Sequence, residues 1–474
     1  MTRLGKMLLP ANRGEAMFAG LGLLLVASVA LLLATTRGLT HTSVSGIADI
    51  LPLILCLAAP AAALLVAGPS IVRLTPTPFV LAVLIAVGVM MRLAWLGHVP
   101  PLDDDFFRYL WDGALVAHGL DPYRYAPSEF LAGNGVPPSH WPLSARALVV
   151  LELVNFNDMR TIYPSVAQAA FALAHVIAPF SIDGLRIVFL AGELATLALL
   201  IALLRASGAS SMWSTLYWWN PLAAAMTVGF CHVDAMLPPL VLGALLASVR
   251  GRPFLALVLL GLGAGVKVWP LMLAPIVLWP MVRQPSRLLL GCLVLGATLL
   301  VAMGPVLWST LRPGSGFTAY AGNWSNNNAF YAWAVYGLRE GLGLGDGGER
   351  GLRLSLAVTT GLLALAQAVR GDGSLNSLAT RYMIVAAAVF YLSPAQFPWY
   401  AVWFLALAAL TACWPLLLAS ALLPFYYLFF LHWPLEGGRL FFYGIAFVHS
   451  VPVLGWLLIV AVRKRAVAGT ACAT

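Results

Sequence analysis

A chain of 474 residues in which 61% are hydrophobic and only 9% charged, with a mean hydropathy of +0.89, lies outside the range of soluble globular proteins and belongs in lipid. The net charge of +9 does not point to nucleic acid, because the basic residues sit mostly between apolar segments and toward the two ends, where they set topology. Five scattered cysteines, Cys56, Cys231, Cys292, Cys413 and Cys472, form no CxxC pair and no metal-ligand spacing, so neither a disulfide framework nor a zinc site is expected.

In chain order, Arg3, Lys6 and Arg13 precede an apolar run from Met17 to Ala34. It ends in Ala34-Thr35-Thr36-Arg37 without a convincing cleavage site, so it reads as a retained first span. The runs Ile47 to Ala67, Phe79 to Leu96, Leu288 to Trp308 and Phe441 to Val462 are long enough, or nearly so, to cross the hydrocarbon. The same length rule gives about twelve to fourteen spans over the whole chain. The expected fold is therefore all-α: one polytopic transmembrane helical bundle over residues 1–474, without a soluble domain. Placing Arg3, Lys6 and Arg13 inside, together with Arg463, Lys464 and Arg465, requires an even number of crossings. Arg73, the pair Arg250 and Arg252, the pair Arg283 and Arg287, and the pair Arg370 and Arg381 then fall inside as well. The segment 98–144, the segment 309–350 and the loops Ser393 to Pro398 and His432 to Arg439 fall outside. The inner loops are short and leave no room for a nucleotide-binding domain. Both termini are expected in the cytoplasm, with the plasma membrane as the site.

The first outer loop holds Asp103-Asp104-Asp105, and six of the 18 acidic residues lie between Asp103 and Glu129. From Phe106 to His118 the pattern is amphipathic, with Phe106, Leu110, Ala114 and Ala117 on one face, which predicts a helix on the membrane surface, capped by an aspartate and ended near Gly119. The aspartates can be mere solvated caps, but one cap suffices. Three adjacent carboxylates repel one another and raise at least one pKa, which suits a general base or a cation partner.

Residues 211 to 230, with Trp213, Tyr217, Trp218, Trp219, Asn220 and Pro221, read as an aromatic interfacial or re-entrant helix. His232 and Asp234 then open the next span, two positions apart, on a turn that points both into one cavity or holds them as a structural pair. Phe254 to Val282 begins and ends beside inside arginines and reads as two half-spans with Lys267 at the bend. Lys267 is the one lysine between Lys6 and Lys464. An ammonium in an apolar stretch either snorkels to the interface or meets an anion, for which a phosphate is a natural partner. Asn323-Trp324-Ser325-Asn326-Asn327-Asn328 and Ser393-Pro394-Ala395-Gln396-Phe397-Pro398-Trp399-Tyr400 supply amides and rings suited to sugars, although ordinary outer loops have such residues too.

At these residues the chain resembles the GT-C superfamily of membrane glycosyltransferases that use polyprenyl-phosphate sugars, and within it the branch of the mycobacterial phosphatidylinositol-mannoside and the GPI-anchor mannosyltransferases. Asp103-Asp104-Asp105 matches that family's acidic motif, and Gly119-Leu120-Asp121-Pro122-Tyr123 its Gly-x-x-Pro-Tyr helix end. Asn220-Pro221, His232-Val233-Asp234, Lys267-Val268-Trp269-Pro270 and Pro394 to Tyr400 look like its later landmarks, so the resemblance covers about residues 78 to 431. Two spans precede the acidic loop's own span where many relatives have none, and three aspartates stand where the motif needs fewer.

The resemblance implies an inverting transfer of a hexose, mannose by proximity, from a polyprenyl-phosphate carrier to a lipid or glycan acceptor at the non-cytoplasmic face, without nucleic acid. Asp105, or else Asp103, would be the base, the former favoured because Arg108-Tyr109 follow it at a spacing seen in related aminoarabinose transferases. Lys267 and His232 would bind the donor phosphate, with Asp234 orienting His232. Asp104, Arg108 and Tyr123 would support the loop, and Gln396, Trp399 and Tyr400 would shape the sugar pocket. No cofactor is expected; a divalent metal between Asp103 and Asp105 is conceivable but not required. Rival readings are a secondary transporter or flippase, since broken spans with charges at the break also build transport sites, and a glycan ligase of the same architecture.

Overall fold

A computed structural model describes residues 10, 12–132, 144–312, 314–434 and 436–471. Arg3 and Lys6 of the first basic cluster, residues 133–143 of the first outer loop and Cys472 lie outside the described residues, as do the side chains of Lys464 and Arg465. Among the described residues helix is the sole regular structure, and extended pairing is confined to one parallel bridge between Asn326 and Ala395. The protein is a bundle of apolar helices, as the composition requires.

Among the described residues, eight helices are long and apolar enough to cross a membrane, or nine if a bent pair is counted as one span. The rest of the expected twelve to fourteen are shorter apolar helices of 10–17 residues, such as Pro78–Leu93, Ser165–Ile177 and Pro253–Ala264. Proline and glycine account for the difference, since each breaks the i to i−4 ladder that a continuous run of apolar residues would otherwise extend. Outward-facing side chains such as Val66, 83% exposed, and Leu300, 73% exposed, are what a lipid-facing surface demands.

Helix α1 (Arg13–Thr35), helix α2 (Ile47–Ile71) and helix α3 (Pro78–Leu93) pack together at the amino-terminal end. Helix α4 (Asp105–Ala117) is the acidic-loop helix, and it packs on helix α5 (Ser165–Ile177). The fit is close at Gly113, where any β-carbon would collide with the Phe171 carbonyl. The expected surface helix is therefore corrected: from Phe106 to Leu115 only Phe107 escapes burial, because α5 and the helix Ala145–Glu152 enclose it.

The aromatic segment is also corrected. Tyr217, Trp218 and Trp219 are fully buried and serve the bundle rather than a headgroup layer. Trp219 donates its ring N–H to the Leu84 carbonyl at 2.8 Å, and Arg92 of α3 lies 3.8 Å over the Trp218 ring. Arg92 also forms a fully buried ion pair with Glu193 at 2.6 Å, and Tyr217 donates to the same glutamate at 2.7 Å. Glu193 belongs to helix α6 (Ile182–Ala206), so one charged cluster ties α3, α6 and the aromatic segment together. In an apolar bundle such a pair persists because close acceptors repay much of the cost of burying the charges.

Two broken spans complete the architecture. Pro221–Gly229 and Val233–Val249 meet at 103°, with Cys231 at φ +62° at the corner. The guanidinium of Arg186 caps the first half, donating to the carbonyls of Val228 at 3.2 Å and Gly229 at 2.9 Å, acceptors that a helix end leaves without partners. Helix α7 (Pro253–Ala264) stops at Gly265, and the chain resumes as a short helix at Trp269, placing Lys267 in the gap as expected. Gly265 fits because any β-carbon there would meet Ala302 at 2.8 Å. Its carbonyl accepts from the N–H groups of Val166 and Ala167 at 3.0 and 3.1 Å, capping the start of α5 and fixing the lysine break against that helix, on which the acidic-loop helix α4 packs.

Candidate active site

The loops that charge places on one side converge on one cavity of about 1100 Å³. It is lined by Asp103, Asp104, Asp105, His232, Lys267, Trp399 and Tyr400 among others, and also by Asn323 to Asn326 and by Trp433. Segments as far apart in the chain as His41 and Phe442 meet here, which is the packing consequence of an up-and-down bundle whose same-side loops share an end.

The three aspartates have three different environments. Asp103 is buried, accepts from the Tyr427 hydroxyl at 3.0 Å and lies 3.3 Å from His232 Nε2. Asp105 opens helix α4 and keeps 31% of its side chain exposed against 6% for Asp103. Its Oδ2 is 3.8 Å from His232 Nδ1. Asp104 and Asp105 share one donor, Asn155 Nδ2, at 2.7 and 3.0 Å. The helix has no side-chain cap hydrogen bond, so the capping alternative fails: all three carboxylates line the cavity. The raised pKa expected of the cluster falls on Asp104, whose carboxyl is pushed up to about 7, chiefly by burial and then by the charge of Asp105.

Strain marks the positions that hold these groups. Of the six non-glycine residues with positive φ among the described residues, Leu102 (+64°) precedes Asp103, Phe156 (+46°) follows Asn155 and Cys231 (+62°) precedes His232. Each such conformation costs roughly 1–3 kcal/mol and persists only where surrounding contacts impose it. One of those contacts is Arg108, which donates to the carbonyls of Asn155, Phe156 and Met159 at 3.0, 2.8 and 3.0 Å. Arg108 thus supports the site by holding the strand of chain that delivers Asn155.

One expected pairing moves. Asp234 was expected to orient His232; His232 lines the cavity between Asp103 and Asp105 instead, stacked on Trp399 with centroids 4.0 Å apart. Asp234 is fully engaged elsewhere, accepting from Lys267 Nζ on both oxygens at 2.8 Å and from the Trp403 ring N–H at 2.6 Å. Lys267 therefore has its anion inside the protein, and it lies 3.9 Å over the Tyr400 ring. Two of its three donors suffice for Asp234, leaving one for a ligand in the cavity.

Three predicted residues do not line the cavity: Asp234, which lies behind Lys267, and Tyr123 and Gln396. Tyr123 donates to the Tyr163 carbonyl at 2.8 Å and lines a separate groove beside Trp308 and Arg312. Gln396 is buried, donating to the Tyr391 carbonyl at 2.9 Å, while its backbone joins Asn326 and Asn327; it braces the loops that carry Trp399. Sequence reasoning missed Asn155, Tyr427 and Trp403. Each is a neutral polar or aromatic residue in an apolar chain, and only contacts at separations of 50, 324 and 169 positions reveal them. Among the described residues no group of three or more His, Cys, Asp or Glu side chains is arranged to hold a metal ion.

Residues 162–283 match the family model described as alpha-(1->6)-mannopyranosyltransferase, N-terminal domain. This chain is similar to mycobacterial-type GT-C mannosyltransferases. One relative, alpha-(1->6)-mannopyranosyltransferase A of Mycobacterium tuberculosis, is 26% identical over 347 residues, which cover 66% of this chain and 62% of that protein. No solved structure matches. The family match spans both broken spans and therefore His232, Asp234 and Lys267; the acidic triplet lies outside it.

Proposed function

We propose that the protein is a membrane mannosyltransferase that moves a mannose from a polyprenyl-phosphate carrier to a lipid or glycan acceptor. It works in the plasma membrane, at the non-cytoplasmic face, with both termini in the cytoplasm. The observation that carries this reading is the meeting, in one cavity at one end of the bundle, of an open carboxylate and a charged lysine. The mannosyltransferase likeness supports the sugar. Asp105 is the base: it removes the proton from the acceptor hydroxyl while that oxygen attacks the anomeric carbon and the bond from that carbon to the phosphate oxygen breaks, inverting the centre. A proton-transfer residue of this kind contributes about 10²–10⁴-fold. Asp103, fixed by Tyr427, holds His232 beside Asp105. The remaining donor of Lys267 takes up the charge that grows on the leaving phosphate, where an electrostatic contribution in a dry site is large. Trp399 and Tyr400 form the wall against the sugar. No metal is required, because Lys267 supplies the positive charge.

Asp104 is the second candidate for the base, since a carboxyl near 7 is matched to operating pH. The deciding experiment is transfer in liposomes from short-chain polyprenyl-phosphate mannose to an extracted lipid acceptor, with Asp103→Asn, Asp104→Asn and Asp105→Asn compared side by side. Loss confined to Asp105→Asn assigns it as the base; loss confined to Asp104→Asn transfers the role. Full transfer in all three discards the carboxylate-base mechanism, and no transfer in the wild type brings a transporter forward.

A further inference from the structure

The loop between α1 and α2, residues 36–46, has no part in the chemistry above, yet it reaches the catalytic cavity. His41 lines that cavity, with its ring 4.9 Å from Phe430. Its Nε2 meets the carbonyl of Leu102, and the Leu39 carbonyl accepts from the Leu102 N–H at 3.3 Å. Both backbone polar groups of Leu102 are thus held by one loop, more than sixty positions away in the chain. Leu102 is the residue at φ +64° immediately before Asp103, and its side chain is buried. A leucine does not adopt a left-handed backbone unaided, and release from it would rotate the peptide that leads into Asp103. Such a rotation would carry that carboxylate away from Tyr427 and His232.

We propose that the loop of residues 36–46 is a latch: Leu39 and His41 clamp Leu102 in its left-handed conformation and so position the Asp103 to Asp105 turn for catalysis. This rests on the transferase reading above. His41 is a positioning residue that acts through the Leu102 carbonyl and not on the reacting atoms. The imidazole is the adjustable half of the clamp, since the other contact is backbone to backbone. The neighbouring charges are Asp103 and Asp105, both of which act on His41 across the cavity mouth.

The test is steady-state transfer kinetics on His41→Ala, His41→Gln, Leu102→Gly and the His41→Ala/Leu102→Gly double variant, with Asp105→Asn alongside. Each protein is first checked for yield and for its thermal unfolding midpoint. His41→Ala is expected to lower kcat by roughly tenfold with little change in KM for the donor, the effect of losing one hydrogen bond that holds a catalytic group. His41→Gln, which can still donate to the carbonyl, is expected to recover most of the rate. In the Leu102→Gly background, where glycine takes φ above zero without cost, His41→Ala is expected to do little. Unchanged kcat in His41→Ala overturns the latch. So does an equal loss with leucine or glycine at position 102, or a rise in KM alone, either of which would make His41 a substrate contact. No transfer by the wild type from any donor is a different failure, one that removes the transferase reading itself, whereas full activity in Asp105→Asn only moves the base role to another carboxylate.

Discussion

Asp104 shows how burial sets the charge of a single residue. Its carboxyl is raised from 3.8 to about 7, so the folded protein binds a proton between these values that the unfolded chain has released. The associated stability is fully present below the unfolded value and is lost as pH rises through the folded one. Replacing Asp104 with Asn removes the dependence, so the variant should gain in thermal midpoint over wild type at about pH 8 and gain little at about pH 5. Unfolding scans in detergent at the two pH values check this. Lys267 gives the second prediction at this scale. Asp234→Asn should cost about 3–5 kcal/mol, because it strands an ammonium inside the bundle. The double variant Lys267→Met/Asp234→Asn should recover most of that stability while transfer stays lost, which separates the structural work of the pair from its catalytic use.

At the scale of elements, the broken spans make the site. A continuous helix cannot aim His232 and Lys267 at the same point, because its backbone donors and acceptors are consumed internally and its side chains radiate outward. Breaking it exposes carbonyls that something must satisfy, and Arg186 satisfies two of them beside His232. Arg186→Gln should therefore cost about 1–3 kcal/mol from unpaired carbonyls and lower transfer as well, since the corner at Cys231 would relax. Arg186→Lys should recover only part of either, a point charge being unable to fork across two acceptors. Thermal midpoints and transfer rates of the two variants, read together, check it. Much of this element scale is legible in the sequence: the break at Lys267 follows from arginines at both ends of one apolar run. The burial of α4 is not, because its pattern of Phe106, Leu110 and Ala114 fits a lipid surface and a protein groove equally well until α5 is in place.

At the scale of the molecule, topology is the testable quantity. Charge places residues 36–46 and 98–144 on one side and residues 369–374 on the other, and the contact between His41 and Leu102 agrees with the first two sharing a side. With Cys292, Cys413 and Cys472 replaced, an impermeant thiol reagent added outside cells should label Ser43→Cys and spare Ser374→Cys, both exposed positions. The opposite pattern would invert the assignment of faces. Activity that survives chelation by EDTA would agree with a lysine, rather than a metal, opposing the phosphate.

The sequence by itself determined that this protein lives in lipid, that it is all helix, and that Asp103 to Asp105, His232, Asp234 and Lys267 are the residues to watch. Those conclusions rest on scarcity: in a chain with 9% charged residues a charge beside or within an apolar run draws attention, although the buried Arg92–Glu193 pair shows that others pass unseen. Only the tertiary structure decided who partners whom. It gave Asp234 to Lys267 and His232 to the carboxylates, kept Tyr123 and Gln396 out of the cavity, and brought in Asn155, Tyr427, Trp403 and His41. Hydrogen-bond partners are chosen by distance and angle within a few ångströms, and those distances are set by how helices cross and where they break, which a one-dimensional pattern of apolar runs does not contain.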